Sequence, residues 1–229
     1  MEIDFEAPDR GLVEALRLYP PSNLPGLDLG CYTGRQALAM IPYCSQVVAY
    51  DINSHYQAEA LALMEKMGLS FKFQAADVLS IEFGKGEIGV VSVGITIYNP
   101  KSTVIKFLQK VVTWFPPRGI LHVQFTLVGD ESEQSPFVQQ GCVREDEYEH
   151  SYIFYGCGHC FQCFQFGLNG GSFWQEDEAD QTILSLDSGG LQILCREPQY
   201  FIRPSVGPHD EVGDKELQRA FYNVTAIKK

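Results

Sequence analysis

From residue 9 the chain alternates between two hydrophobic periodicities. In "DRGLVEALRL" (9–18) apolar residues recur three and four apart, an amphipathic helix, and "YPP" (19–21) stops it because proline lacks the amide a helix needs. "GLDLG" (26–30) then reads as a short buried strand, and "RQALAM" (35–40) begins a helix. "QVVAYDI" (46–52) predicts a second strand, and "HYQAEALALMEKMG" (55–68) a helix with glycine at its end. "SFKFQAAD" (70–77) alternates as a strand should, and "IGVVSVGI" (88–95) is a continuous buried run. "KSTVIKFLQKVVTWF" (101–115) predicts a helix and "GILHVQFTL" (119–127) a fifth strand. Strands rich in β-branched residues, separated by helices, imply right-handed crossovers and a doubly wound, mostly parallel α/β sheet.

After residue 127 the rhythm breaks. "VGDESEQSPFVQQGCVREDEYEH" (128–150) is polar and irregular, with "REDEYE" reading as a solvated acidic face. "SYIFYGCGHCFQCFQFGL" (151–168) is aromatic and cysteine-rich, expected to be extended, with a hairpin turn near residues 156–158. From residue 175 the pattern returns. "EDEADQTILSLDSGG" predicts a helix ended by its glycine pair, "LQILCRE" and "RAFYNVTAIKK" predict strands, and "PQYFIRPSVGPHDEVGDKE" between them a long loop. Residues 128–174 are too few for a core of their own. The expectation is one domain over residues 1–229, with 128–174 inserted as a lid after the fifth strand.

Charge narrows the partners. A net charge of -12, with no basic run denser than the final "KK", argues against a nucleic-acid partner, whose phosphates need Lys and Arg. A small molecule is the better expectation. No stretch approaches the roughly 18 consecutive apolar residues of a membrane span, and "MEIDFEAPDR" lacks the plan of a signal peptide. A cytoplasmic protein without a membrane partner is expected. Its 7 cysteines are then reduced thiols, packing residues or metal ligands rather than disulfides.

The candidate chemistry lies in "LDLGCYTGRQALAM" (27–40), a strand running through glycines into a helix, where open α/β sheets bind ligands. The dinucleotide fingerprint G-x-G-x-x-G fails here. Asp28-Leu-Gly30-Cys-Tyr32-Thr-Gly34 instead resembles motif I, D-x-G-x-G-x-G, of the class I S-adenosylmethionine-dependent methyltransferases. Two acids fit the same resemblance: Asp51, ending the second strand about 20 residues on, and Asp77 in "AADVL" after the third.

The resemblance implies a Rossmann-like, seven-stranded fold and S-adenosylmethionine as cofactor. It implies that Gly30 and Gly34 let the backbone approach the cofactor and that Asp28 organises the turn or faces the cationic methionine end. It gives the ribose hydroxyls to Asp51, and the adenine amino group to Asp77 with the amide of Val78. Cys31, Tyr32, Ile52 and Gly94 join them as cofactor-binding positions. Within the superfamily, "GCYTGRQALAM" followed by "AYDIN" is similar to the small tellurite-resistance and thiopurine-type methyltransferases. Tyr32 departs from the pattern. A tyrosine in place of the middle glycine must keep φ negative or bear strain, and its ring must either cover the pocket mouth or plug it.

Other residues compete for a role. "ITIYNP" (95–100) resembles, incompletely, the N-P-P-aromatic motif of amino-group methyltransferases, and offers Tyr98 and Asn99 to an acceptor. Tyr155 and His159 in the lid are further acceptor candidates. Cys157, Cys160 and Cys163, with Cys142, His150 and His159, have metal-ligand chemistry, yet a strand would point Cys160 away from the other two. They are read as packing residues, with no metal assigned. His122, inside a strand pattern, reads as a satisfied core histidine. The resemblance thus implies methyl transfer to a small-molecule acceptor, with no catalytic residue assigned. The alternative is a non-catalytic protein that binds S-adenosylmethionine, or binds metal through the cysteine-rich lid.

Overall fold

The computed structural model describes residues 7–21, 23–54, 56–96, 99–126, 143–145, 152–154, 174–202 and 217–229. In chain order the elements are α1 (Arg10–Leu18), β1 (Gly26–Leu29), α2 (Arg35–Met40), β2 (Val47–Asp51), α3 (Tyr56–Met67) and β3 (Lys72–Ala75). Then come β4 (Val90–Val93), α4 (Lys101–Thr113), β5 (Ile120–Thr126), β6 (Val143–Glu145) and β7 (Tyr152–Phe154). The last are α5 (Glu176–Ser185), β8 (Leu191–Ile202) and β9 (Leu217–Lys228).

Seven strands form one sheet in the order β3-β2-β1-β4-β5-β9-β8. β1 to β5 are mutually parallel, and β9 runs antiparallel to both β5 and β8. Order therefore reverses between β1 and β4, and the crevice beyond their carboxyl ends is a topological switch point. β1, β2 and β4 are buried along their whole length, which explains why they read as apolar runs. Edge strand β3 is partly exposed.

Helices cover both faces, as expected of a doubly wound sheet. On one side α1 (Leu12, Ala15, Leu16) and α2 (Ala37, Met40) pack on Val47, Ala49, Val90 and Ile120. On the other, α4 (Val104, Phe107, Leu108, Val111) and α5 (Ala179, Ile183) pack on Leu27, Leu29, Val91, Val93 and Val123. No helix among the described residues is long and apolar enough to cross a membrane.

Three expectations need correction. β8 continues past residue 197 to Ile202, through what was read as a loop, and pairs with β9 as far as Ile202↔Leu217. Pro198 is tolerated because β8 is the sheet edge, where a missing amide breaks no ladder on the outer side. Within the stretch read as irregular, β6 pairs antiparallel with β7 in the register Val143↔Phe154. The helix after residue 175 ends at Ser185, before the glycine pair, because Leu186 turns extended (ψ 146°) and Asp187 and Ser188 take φ 52°. The turn expected at 156–158 lies outside the described residues.

Candidate active site

The β1–α2 turn is built from three residues at positive φ: Gly30 (74°), Tyr32 (51°) and Gly34 (84°). Gly30 and Cys31 both donate their amides to the Tyr50 carbonyl, at 2.8 and 3.0 Å, which ties the turn to β2. Neither glycine could carry a side chain in place. A Cβ on Gly30 would lie 2.6 Å from Ile95 Cγ2, and one on Gly34 would lie 2.2 Å from Phe71 Cζ.

Tyr32 bears the strain that a tyrosine here was expected either to avoid or to accept. Its φ is left-handed, costing about 1–2 kcal/mol for a residue with a Cβ. Contacts among the described residues hold it. Its amide donates to Asp51 Oδ2 at 3.0 Å, and its ring lies on Tyr56 with centroids 4.2 Å apart. Tyr32 remains 54% exposed and borders the cleft described below without filling it.

Asp28 is buried in β1, and its Oδ2 accepts the Ala37 amide at 2.9 Å. It thereby caps α2, a task that Gly34 at the helix start has no side chain to perform. Burial pushes the carboxyl up to about 6, against the opposing pull of the Ala37 amide, the Ser92 hydroxyl, Arg35 and His122. Asp51, at the end of β2, accepts from Tyr32 on one oxygen and from the Asn53 amide on the other at 2.9 Å. Each oxygen keeps a lone pair for a further donor.

Beside the turn lies a cleft of about 270 Å³. Asp28, Gly30, Cys31, Tyr32, Thr33, Arg35 and Gln36 form one wall. Ser92, Val93 and Gly94 of the β4 end form another, and His122, Gln124 and Phe221 close it. Gly94 is needed there because a Cβ would meet the Gly30 carbonyl oxygen at 2.8 Å. Cys31 is buried, and its thiol is held well above the ordinary range by burial and by the charges of Asp28 and Asp51. It is not poised as a nucleophile.

The remaining sequence candidates are more scattered. Ile52 projects from the end of β2, 77% exposed. Asp77 accepts the Leu79 amide at 3.0 Å and starts a short turn that buries Val78. Asn99 donates its side-chain amide to the Ile95 carbonyl at 3.1 Å, bracing the loop after β4. Tyr98, Tyr155 and His159 lie outside the described residues, as do Cys142, His150, Cys157, Cys160 and Cys163.

Sequence reading missed Arg35, Gln36, Ser92, Gln124 and Phe221 as cleft residues. A signal was present: Ser92, His122 and Gln124 interrupt otherwise buried apolar strands. His122 is the satisfied core histidine expected, with Nδ1 2.9 Å from Thr225 Oγ1 and Nε2 3.0 Å from Asp9 Oδ2. It also reaches the cleft wall.

Comparison with known proteins finds a domain match and a shared fold. Residues 27–119 match the family model described as "Methyltransferase domain". The fold is similar to that of TehB from Haemophilus influenzae, with a TM-score of 0.62 and 14% identity over 96% of this chain. This chain spans 62% of that protein's length. It is also similar to an S-adenosylmethionine-dependent methyltransferase from Methanosarcina mazei, with TM-score 0.60 and 13% identity over 93% of this chain and 96% of that one. A third is the Burkholderia thailandensis 1,6-didemethyltoxoflavin-N1-methyltransferase, solved with 1,6-didemethyltoxoflavin and S-adenosylhomocysteine bound. Its TM-score is 0.57, with 15% identity over 96% of this chain and 77% of that one. At such identities the likeness is one of fold. No curated protein matches the chain. The chain thus matches a methyltransferase domain over residues 27–119 and shares the fold of these methyltransferases.

Proposed function

We propose that the chain binds S-adenosylmethionine along the carboxyl ends of β1, β2 and β4 and transfers its methyl group to a small molecule. The observation that carries this reading is the bond from the Tyr32 amide to Asp51, which joins the glycine turn to the second-strand acid beside an open cleft. When bound, the cofactor supplies a methyl group on cationic sulfur, open to in-line displacement.

The chain's residues have distinct tasks in this reading. Asp51 accepts the ribose hydroxyls through its remaining lone pairs. Gly30 and Gly94 leave the cleft floor without side chains, so the methionine part approaches backbone. Asp28 holds the start of α2 and puts a buried negative charge next to the cationic end. Ile52 and Val78 flank the adenine, and Asp77 reaches its amino group. Cys31 contributes backbone rather than thiol chemistry.

Two features support a small acceptor, and a third supports the lid. The net charge of -12 disfavours nucleic acid. One protein of the same fold acts on 1,6-didemethyltoxoflavin, a small molecule. The Trp174 amide donates to the Thr126 carbonyl at 2.8 Å, so the chain between them leaves and rejoins the sheet at one place. That supports reading 128–174 as an insertion in a single domain, with Tyr98, Asn99, Tyr155 and His159 on the acceptor side. A soft or already anionic acceptor needs no general base, only alignment in a dry site.

The test is transfer of label from methyl-tritiated S-adenosylmethionine to a low-molecular-weight metabolite fraction. Label in that fraction, lost when Asp51 is replaced by Ala, is expected. Label found only in macromolecules contradicts the small acceptor.

A further inference from the structure

A second cavity, also of about 270 Å³, lies at the opposite end of the sheet from the cleft. It is bordered by Gly89 and Gly119, the residues that lead into β4 and β5 at their amino ends. Its walls are largely apolar. Tyr19, Pro20, Pro21 and Leu24 come from the chain after α1, and Pro116 and Pro117 from the chain before β5. These segments meet β4 closely, since a Cβ on Gly89 would lie 2.4 Å from Pro21 Cβ. Prolines fix the backbone around the cavity, so a ligand has little of it to order.

Among the lining residues Arg118 alone carries a charge. It is the third residue of a turn closed by the Gly119 amide, which donates to the Pro116 carbonyl at 3.1 Å. Its φ is 69°, a value that at this place in a turn favours glycine or asparagine, so an arginine bears strain there. The Arg118 amide donates to the Lys228 carbonyl at 2.8 Å, which holds the turn against β9. A strained residue whose side chain borders a cavity points to a use for that side chain. The guanidinium lies 5.4 Å from the Tyr19 ring centroid, a cation–π contact that orients it at the cavity wall. No carboxylate among the described residues pairs with it, so its fork of donors is open to an anion.

We propose that this cavity is a second binding site, which takes a small carboxylate with an apolar body. Arg118 holds the carboxylate, and the proline, tyrosine and leucine walls cover the rest of the ligand. The volume lies below the roughly 300–1,000 Å³ of sites for drug-sized ligands, which suits a compound with a single ring. A net charge of -12 repels a multiply charged anion more strongly than a singly charged one, which favours a monocarboxylate. The site lies beyond the amino ends of the strands and the cleft beyond their carboxyl ends, so the two are distinct. The inference does not rest on the cofactor reading.

The experiment titrates sodium benzoate into the full chain at constant ionic strength, followed by saturation-transfer NMR. Benzyl alcohol, which keeps the ring and lacks the charge, and acetate, which keeps the charge and lacks the ring, are the controls. Benzoate should bind one saturable site, about tenfold or more tighter than either control. Arg118→Gln should weaken benzoate by about tenfold, and Arg118→Lys by less, because the charge remains while the fork of donors is lost. Arg35→Gln, on the wall of the other cleft, should leave benzoate binding unchanged. No saturable binding of benzoate, or binding no tighter than that of benzyl alcohol, overturns the inference. So does a loss in Arg35→Gln with none in Arg118→Gln. Each of these results leaves the cofactor reading standing.

Discussion

The amide of Tyr32 donates to Asp51 Oδ2 at 3.0 Å, so the acid at the end of β2 holds the glycine turn after β1 in shape. Asp51 is therefore part of the turn's structure as well as the proposed ribose acceptor. Its two oxygens hold the Tyr32 and Asn53 amides.

Replacing Asp51 with Ala should lower S-adenosylmethionine affinity at least tenfold, since hydrogen bonds to an ionised acceptor are each worth about 1.5–3 kcal/mol. Stability should fall too, by about 1–3 kcal/mol, because two amides lose their acceptor. Asp51→Asn should recover part of the stability and less of the affinity. Calorimetry and denaturant unfolding separate the two effects. Unchanged affinity in both variants would mean that ribose does not bind here.

For Tyr32→Gly, release of the left-handed φ should return about 1–2 kcal/mol. Loss of the ring contact with Tyr56 should remove about 0.5–1.5 kcal/mol. The net change in stability is small, and cofactor affinity should stay within a few fold because glycine keeps the amide bonded to Asp51. Loss of binding would show that the ring stacks on the ligand. Tyr32→Val should be clearly destabilising, since a β-branched residue resists this φ.

Gly34→Ala combines φ 84° with a Cβ 2.2 Å from the Phe71 ring. Backbone strain of about 1–2 kcal/mol and overpacking of about 1–3 kcal/mol should both appear. In Gly34→Ala with Phe71→Leu, the overpacking part should be relieved and the backbone part retained. Additive losses in urea unfolding would contradict the contact.

Burial raises the Asp28 carboxyl from 3.8 to about 6, so the folded state holds its proton more tightly than the unfolded chain. The stability this gives is fully present below pH 3.8 and is lost as pH rises through about 6. Asp28→Asn keeps an acceptor for the Ala37 amide and removes that dependence. Between pH 4 and 7 the parent should lose stability relative to the variant, by on the order of 3 kcal/mol. Parallel urea-unfolding curves against pH would contradict a buried, ionising Asp28.

The strand–turn–helix at residues 26–40 was legible because its hydrophobic period changes across glycines, and both glycines sit at positive φ. The place of Asp51 at the end of β2 was legible from the apolar run before it. The sign of φ at Tyr32 was not, since its bond to Asp51 and its contact with Tyr56 are tertiary and outweigh local preference. The extension of β8 through Pro198 was hidden because only the sheet order makes that strand an edge. Ser92, His122 and Thr225 were visible singly as polar breaks in strands. Their alignment with Asp28 comes from cross-strand register, which no one-dimensional pattern carries.

The most direct measurement is calorimetric titration of S-adenosylmethionine into the intact chain, repeated with Asp51→Ala. The account predicts one site per chain, with affinity at least tenfold weaker in the variant while its circular dichroism spectrum is unchanged. No heat of binding in the parent, or equal affinity in a folded Asp51→Ala chain, would contradict it.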